Sequence, residues 1–219
     1  MSGFFLQFLL GFKVTIVVSL ASGLLGTAVG LIVATIKLSR FRLPSLIAQG
    51  YTTIVRGLPE LLVILVIYFG GTAAITAVFG RYVEISPFAA GVVALTIVFG
   101  AYSAEIFRGA IASIPSGQSE AAASLGLSSW QAWLLVIVPQ MMRVALPGFC
   151  NLWVSLLKDT SLISVVGLTD IMRVAFIGAG SMRAPLVFYL AASALYLLLT
   201  SLSLLSFRLL QQRLAIPGH

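Results

Sequence analysis

The sequence predicts an all-α integral membrane protein that crosses the bilayer five times. Of its 219 residues, 60% are hydrophobic and only 9% are charged, and the mean hydropathy is +1.11. Because a soluble domain carries roughly a quarter charged residues, a soluble protein of this composition would expose one large apolar patch. The charges also leave long uncharged stretches, each near the ~20 residues that a helix needs to cross the hydrocarbon. We therefore interpret the whole chain, 1–219, as one transmembrane domain.

The positions of the charged residues define the five predicted spans. Four of the spans are uncharged over most of their length. The fourth in order is apolar at first and then carries Lys158 and Asp159 in a polar outer end. Because lipid offers the backbone no hydrogen-bond partner, each span is expected to be a helix. In order, the spans cover about 12–36, 58–80, 86–107, 144–166 and 184–207.

The first two spans leave two packing questions open. In the first span, Ser22, Gly26 and Gly30 stand four residues apart. Small residues on one face let two helices approach closely in lipid, so this stripe indicates packing within the chain or against another subunit. Before the second span, residues 44–57 fit either an interfacial helix or the start of the span itself.

The distribution of Lys and Arg predicts the orientation. Four basic residues lie before the first span and after the second and fourth: Lys13, Arg81, Arg173 and Arg183. Eight follow the first, third and fifth spans: Lys37, Arg40, Arg42, Arg56, Arg108, Arg143, Arg208 and Arg213. Since cytoplasmic segments carry the excess of Lys and Arg, the amino terminus is predicted outside and the carboxyl terminus in the cytoplasm.

The predicted cytoplasmic loop between the third and fourth spans, about 109–140, reads as two short helices. Residues 120–125 are rich in alanine, which favours a helix. Gly126 suits a left-handed helix stop, and Ser128 or Ser129 can cap a second helix. Pro139 is expected to end that second helix.

The same loop resembles the cytoplasmic EAA motif of ABC importer permeases. The resemblance rests on Glu120, Ala121 and Ala122, on Gly126 four residues later, and on Pro139 thirteen residues after the glycine. Four further stretches resemble the polar amino acid subgroup of that family: YTTIVRGLPE at 51–60, AYSAEIFRG at 101–109, RVALPG at 143–148 and LKDTSLI at 157–163. The motif departs from the family pattern at its end, where the usual Ile-x-Leu-Pro is replaced by Val-Ile-Val-Pro at 136–139.

This resemblance implies a partner for each face of the membrane. It implies that Glu120, Ala121, Ala122, Ser124, Gly126 and Pro139 couple the chain to a separate cytoplasmic ATPase dimer, which holds the ATP and Mg²⁺. It also implies a periplasmic substrate-binding protein, a second permease subunit, and a place in the bacterial inner membrane. The Arg-Gly-Leu-Pro-Glu form at 56–60 favours a similar but distinct second subunit over a homodimer.

Glu60 is the first candidate for the substrate path, because a charge in a span is costly and marks function by default. The resemblance implies a cationic substrate such as arginine, lysine, histidine, ornithine or an opine, since the Arg-Gly-x-Pro-acidic form is similar to those permeases. The alternative is a helix-start carboxylate that the helix dipole stabilises. By its position in the sequence, Glu60 is expected nearer the cytoplasmic face.

The other polar residues in the spans fall into two groups. Glu105 is expected to pair with Arg108 at i+3, in an architectural or gating role. Lys158 and Asp159 are adjacent and so point to different sides of a helix. The candidate lining of the path comprises Glu60, Glu105, Asn151, Lys158, Asp159, Thr160 and Ser161. The alternative for the 151–161 cluster is polar contact between helices. Asp170 and Arg173 are expected in an outer loop, facing the binding protein or solvent.

The sequence thus predicts a permease subunit that performs no chemistry and holds no cofactor of its own. Its only histidine is the last residue, His219, which argues against an internal triad or a His-based metal site. Its only cysteine, Cys150, is expected to be a buried hydrophobe, and the +7 net charge is too scattered for nucleic-acid binding. The alternatives are a permease for neutral or acidic amino acids and, more distantly, an ATPase-independent transporter or channel.

Overall fold

Ten α-helices make up most of the chain that the computed structural model describes, residues 2–214. Met1 and residues 215–219, including His219, lie outside this range. Two π-helical turns, Val66–Gly70 and Trp133–Ile137, and one 3-10 helix, Thr160–Val166, join some of the helices. The α-helices are α1 (Ser2–Lys37), α2 (Arg42–Arg56), α3 (Glu60–Leu65), α4 (Gly71–Phe79), α5 (Pro87–Ala112), α6 (Gly117–Ser124), α7 (Ser129–Ala132), α8 (Val138–Asp159), α9 (Ile171–Met182) and α10 (Pro185–Leu214).

The described residues contain five helical segments that are long and apolar enough to cross a membrane, which confirms the predicted number. The segments are Phe4–Lys37, Glu60–Phe79, Pro87–Ala112, Ser129–Val166 and Pro185–Arg213. The first begins earlier than predicted and the fourth is much longer. The fourth is longer because helical structure is continuous from Ser129 through α8.

Pro139 lies inside this fourth segment, so the expectation that it ends a helix is wrong. A proline ring clashes with the carbonyl four residues earlier and has no N–H to donate. The π-helical turn Trp133–Ile137 precedes the proline and provides a wider turn at this point. The side-chain amide of Gln140 also donates to the carbonyl oxygen of Val136 at 2.9 Å.

The small-residue stripe of α1 packs against α5 of the same chain, as the first of its two interpretations held. A Cβ added at Gly26 would lie 2.8 Å from Cδ1 of Phe99, and one at Gly30 would lie 2.0 Å from Oγ of Ser103. The Ser103 hydroxyl also donates to the Gly26 carbonyl oxygen at 3.3 Å. The missing side chains therefore let the α1 and α5 backbones approach closely.

Replacing Gly30 with alanine is expected to lower the free energy of unfolding by about 1–3 kcal/mol, because the new methyl group overpacks this contact. The matched control is Gly50→Ala on α2, where an added Cβ meets no atom within 4 Å. Thermal unfolding in detergent micelles measures both variants. An equal melting temperature for the two would contradict the assigned α1–α5 contact.

Helix α2 packs lengthwise along α5 and ends beside its middle. The Tyr51 hydroxyl donates to the Ile97 carbonyl oxygen at 2.6 Å, and the Arg56 guanidinium carbon lies 5.4 Å from the Tyr102 ring centroid. A short break at residues 57–59 then separates α2 from α3. Residues 44–57 therefore belong to a separate helix that packs against α5, and the second candidate span begins only at Glu60.

Asp170 is buried within the fold, so the expectation of a carboxylate facing solvent or a partner protein is wrong. Its side chain is fully inaccessible and caps α9 by accepting from the Arg173 N–H at 2.8 Å. The Tyr196 hydroxyl donates to the second carboxylate oxygen at 3.3 Å. Burial raises the pKa of Asp170 to about 6, against the opposing effect of these hydrogen bonds. Asp170 therefore joins α9 to α10.

Candidate functional site

A cavity of about 230 Å³ lies between the start of α3, the middle of α5 and the end of α8. Its walls are mostly apolar, and two carboxylates, a phenol and one serine hydroxyl interrupt them. The lining residues are Glu60, Leu95, Val98, Phe99, Tyr102, Leu152, Ser155, Leu156 and Asp159. Concave sites with apolar walls and a few convergent polar groups are where small ligands usually bind.

One helix break and one change of helix type lie beside the carboxylates of this cavity. Pro59 has an extended backbone (φ −60°, ψ 135°), so α3 begins anew at Glu60. Asp159 is the last residue of α8, after which the chain tightens into the 3-10 helix Thr160–Val166. The cavity lies between the start of α3, where Glu60 stands, and the end of α8, where Asp159 stands.

Glu60 is the first residue of the second candidate span, and it faces the middle of α5. Its neighbours in the cavity, residues 95–102, occupy the middle of α5, which runs from Pro87 to Ala112. Ionisable groups in such a position usually face a cavity or pathway rather than lipid.

The electrostatics of the cavity favour a positively charged ligand. Within the described part of the chain, neither Glu60 nor Asp159 has a lysine or arginine nitrogen within 4 Å of its carboxylate. Two carboxylates in one small, largely apolar space repel each other and lose hydration. An ammonium or guanidinium group entering the cavity would relieve both effects.

The other predicted path residues do not join this cavity. Asn151 is exposed, and Thr160 is buried with its hydroxyl donating to the Leu157 carbonyl oxygen at 2.7 Å. Lys158 and Ser161 open onto a separate pocket of about 460 Å³ beside α10. Lys158 and Asp159 form no ion pair with each other, as expected.

Tyr102 and Ser155 are cavity residues that the sequence reasoning missed. Tyr102 stands three residues before Glu105, inside a stretch already recognised as part of the family pattern. Its role was not visible because a tyrosine in a span is usually interfacial. Only its contact with Arg56 and its place in the cavity distinguish it.

Glu105 belongs to a separate charged cluster outside the cavity. The Arg108 Nε donates to it at 2.9 Å, which confirms the expected i+3 pair. Lys37, at the end of α1, also pairs with Glu105, and its ammonium donates to the Thr52 hydroxyl at 2.8 Å. This cluster therefore fastens α1 and α2 to α5. The Lys37 contact was missed because it joins residues far apart in the sequence.

The loop after α5 presents a short helix and exposed apolar side chains. Gly126 has φ +78°, which confirms the left-handed stop after α6. Ser128 caps α7 by accepting from the Gln131 N–H, while the Gln131 side chain accepts from the Ser128 N–H at 2.9 Å. Leu125 and Trp130 are 81% and 67% exposed. Both exposed apolar side chains lie in the loop to which the sequence analysis assigned the coupling residues.

Four of the predicted coupling residues lie on α6. Glu120, Ala121 and Ser124 are exposed, and Ala122 is buried. The Glu120 carboxylate stands in the first turn of α6, where it complements the helix dipole. Helix α6 thus exposes three of its four predicted coupling residues.

The sequence resembles known transport proteins over most of its length. Residues 26–216 match the family described as "Binding-protein-dependent transport system inner membrane component". The chain is 45% identical over 199 residues to the nopaline transport system permease protein NocQ of Agrobacterium fabrum, covering 88% of this chain and 84% of that protein. It is 38% identical over 206 residues to the histidine/lysine/arginine/ornithine transport system permease protein HisQ of Escherichia coli, covering 92% and 89%.

Solved structures show the same fold. A structure described as "Crystal structure of an amino acid ABC transporter with histidines" superposes with a TM-score of 0.84 at 32% identity, covering 97% of this chain and 96% of the other. The MetNI methionine ABC transporter in an inward-facing conformation superposes with a TM-score of 0.80 at 17% identity, covering 99% of this chain and 100% of the other.

Proposed function

The chain belongs to the family of binding-protein-dependent transport system inner membrane components, as a multi-pass permease subunit of an ABC importer for polar amino acids, and we propose that its substrates are cationic. The observation that carries this proposal is the cavity between α3, α5 and α8, where Glu60 and Asp159 meet without a basic partner. The names of its relatives, which include arginine, histidine/lysine/arginine/ornithine, nopaline and octopine permeases, agree with it.

In this proposal the cavity binds the positive end of the substrate while it crosses the membrane. Glu60 and Asp159 supply the counter-charge, and the apolar walls keep bulk water away so that the attraction is stronger than in solution. A neutral or acidic amino acid would leave both carboxylates without a partner. The pair of acids therefore favours cationic substrates over the alternative of neutral or acidic ones.

The remaining steps are alternating access driven by a separate ATPase dimer, which holds the ATP and Mg²⁺. The proposed docking surface is the loop of α6 and α7, with its exposed Glu120, Leu125 and Trp130. The excess of basic residues on that side of the spans supports a cytoplasmic loop and carboxyl terminus, in a bacterial inner membrane. A periplasmic binding protein would deliver substrate, and a distinct second permease subunit would complete the pathway. Substrate uptake into vesicles without ATP would contradict this mechanism.

Replacing Glu60 with glutamine is expected to lower kcat/KM for arginine and lysine uptake by about tenfold or more, since a charge-assisted hydrogen bond is lost. Uptake of citrulline, the neutral analogue of arginine, should change less than about twofold. Proteoliposomes that hold the whole transporter, with saturating binding protein outside, allow the comparison.

The control for this variant is Glu84→Gln. Glu84 is an exposed carboxylate between the second and third spans, hydrogen-bonded to Tyr68 and absent from the cavity. Its replacement should leave uptake of all three substrates unchanged. If Glu60→Gln reduces citrulline and arginine uptake equally, the assigned cation specificity is wrong.

A further inference from the structure

Arg56 lies beside the cavity and has no acidic partner there. It is the last residue of α2, and its guanidinium carbon lies 5.4 Å from the centroid of the Tyr102 ring. Tyr102 lines the cavity together with Glu60 and Asp159. In the described part of the chain, no carboxylate oxygen lies within 4 Å of Arg56, although its side chain is exposed. A cation in this position, beside the middle of a spanning helix, is expected to meet an anion.

Glu60 is not that anion, although it follows Arg56 by four residues. On a continuous helix, residues i and i+4 are neighbours and readily form an ion pair. Here α2 ends at Arg56, and Pro59 is extended before α3 begins. The break puts the two side chains on separate helices. The Arg56 guanidinium then lies over the Tyr102 ring, while Glu60 lines the cavity.

We infer that Arg56 binds the α-carboxylate of the substrate, so that the cavity holds a cationic amino acid by both of its charged ends. This inference rests on the proposed function of the cavity. A guanidinium presents two parallel N–H groups to a carboxylate, and the Tyr102 ring attracts the Arg56 cation to the edge of the cavity. The two acids and Arg56 give the site one net negative charge, and a cationic amino acid has one net positive charge. The pairing therefore leaves no charge without a partner.

Lys158 is the competing candidate for the carboxylate, and its position disfavours it. Its side chain lines the separate pocket beside α10, with Ser193 and Thr200, rather than the cavity that holds Asp159. Adjacent residues on a helix point about 100° apart, so the two pockets lie on neighbouring faces of α8. A substrate held by Glu60 and Asp159 would have Arg56, not Lys158, at the edge of the same space.

Equilibrium binding of radiolabelled arginine and agmatine to the whole transporter in nanodiscs tests the inference, because agmatine is arginine without its carboxylate. Arg56→Met should weaken arginine binding by about tenfold or more and agmatine binding by less than about twofold, since only arginine loses a charge-assisted pair. Arg56→Lys should lie between the parent and Arg56→Met. Arg42→Met, the same change at the exposed start of α2, should leave the affinity for both ligands unchanged.

The variants separate this inference from the proposed function. Glu60→Gln should weaken the binding of both arginine and agmatine. If its affinities equal those of the parent, the proposed function is contradicted but the role of Arg56 is not. Equal effects of Arg56→Met on arginine and agmatine, or no effect on either, would overturn the inference. An arginine-selective loss in Lys158→Met instead would do the same. If Arg56→Met does not fold, Arg56→Lys is used instead. An unchanged ratio of its affinity for arginine to its affinity for agmatine would then overturn the inference. A parent transporter that binds no arginine would contradict both proposals.

Discussion

Replacing Glu105 with alanine is expected to lower the free energy of unfolding by about 3–5 kcal/mol, the usual cost of breaking a buried ion pair from one side. The Lys37 and Glu105 side chains are only 10% and 18% exposed. Without the carboxylate, the Lys37 ammonium would keep only its hydrogen bond to Thr52. Because the cluster fastens both α1 and α2 to α5, its loss should loosen the centre of the fold. Thermal unfolding of the purified protein in detergent measures the effect.

Two further variants show whether the loss comes from the charge cluster. Glu105→Gln keeps a hydrogen-bond acceptor and should cost less than Glu105→Ala. Glu84→Ala removes an exposed carboxylate outside the spans, and such changes usually alter stability by less than about 0.5 kcal/mol. Equal melting temperatures for Glu105→Ala and Glu84→Ala would show that the cluster does not stabilise the fold.

Replacing Gly126 with valine is expected to abolish the coupling of ATP hydrolysis to uptake while leaving membrane insertion intact. Gly126 has φ +78°, a left-handed conformation that costs an ordinary L-residue about 1–2 kcal/mol. Valine is branched at Cβ and tolerates this conformation poorly. The turn between α6 and α7 should therefore change its path and displace the exposed docking residues. Uptake and ATPase activity, measured on the same proteoliposomes, test this expectation.

Gly117→Val is the matched control for this variant. Gly117 is the first residue of α6 in the same loop, its φ is not positive, and an added Cβ would meet no atom within 4 Å. The two variants share the added side chain and differ only in backbone conformation. Full uptake by Gly126→Val, or an equal loss in Gly117→Val, would remove the assigned role of the left-handed turn.

Features that depend on nearby residues could be predicted from the sequence. Gly126 and Ser128 take their expected conformations because left-handed backbone and helix caps are decided within one turn. The Glu105–Arg108 pair follows from helical spacing in the same way. Pro139 is the exception, because the preceding π-helical turn was not visible in the sequence and let the helix continue past the proline.

The candidate site could be predicted only in part. Glu60 and Asp159 were identified one by one because a charge in a span is costly. That they share one cavity, with Tyr102 and with Arg56 at its edge, depends on how α3, α5 and α8 pack residues that are distant in the chain. Asp170 was misjudged for the same reason, since a loop-like sequence does not reveal the packing of α9 against α1 and α10.

The sequence by itself determined that the protein lies in a lipid membrane, how many candidate spans it has, and where the turn and helix cap of its loop fall. These follow from composition and local backbone preference, because hydrophobic length and turn geometry are set by neighbouring residues. Only the tertiary structure decided the meeting of Glu60 with Asp159, the Lys37–Glu105 pair and the burial of Asp170. These depend on contacts between helices, and a contact between distant residues forms only when the helices pack.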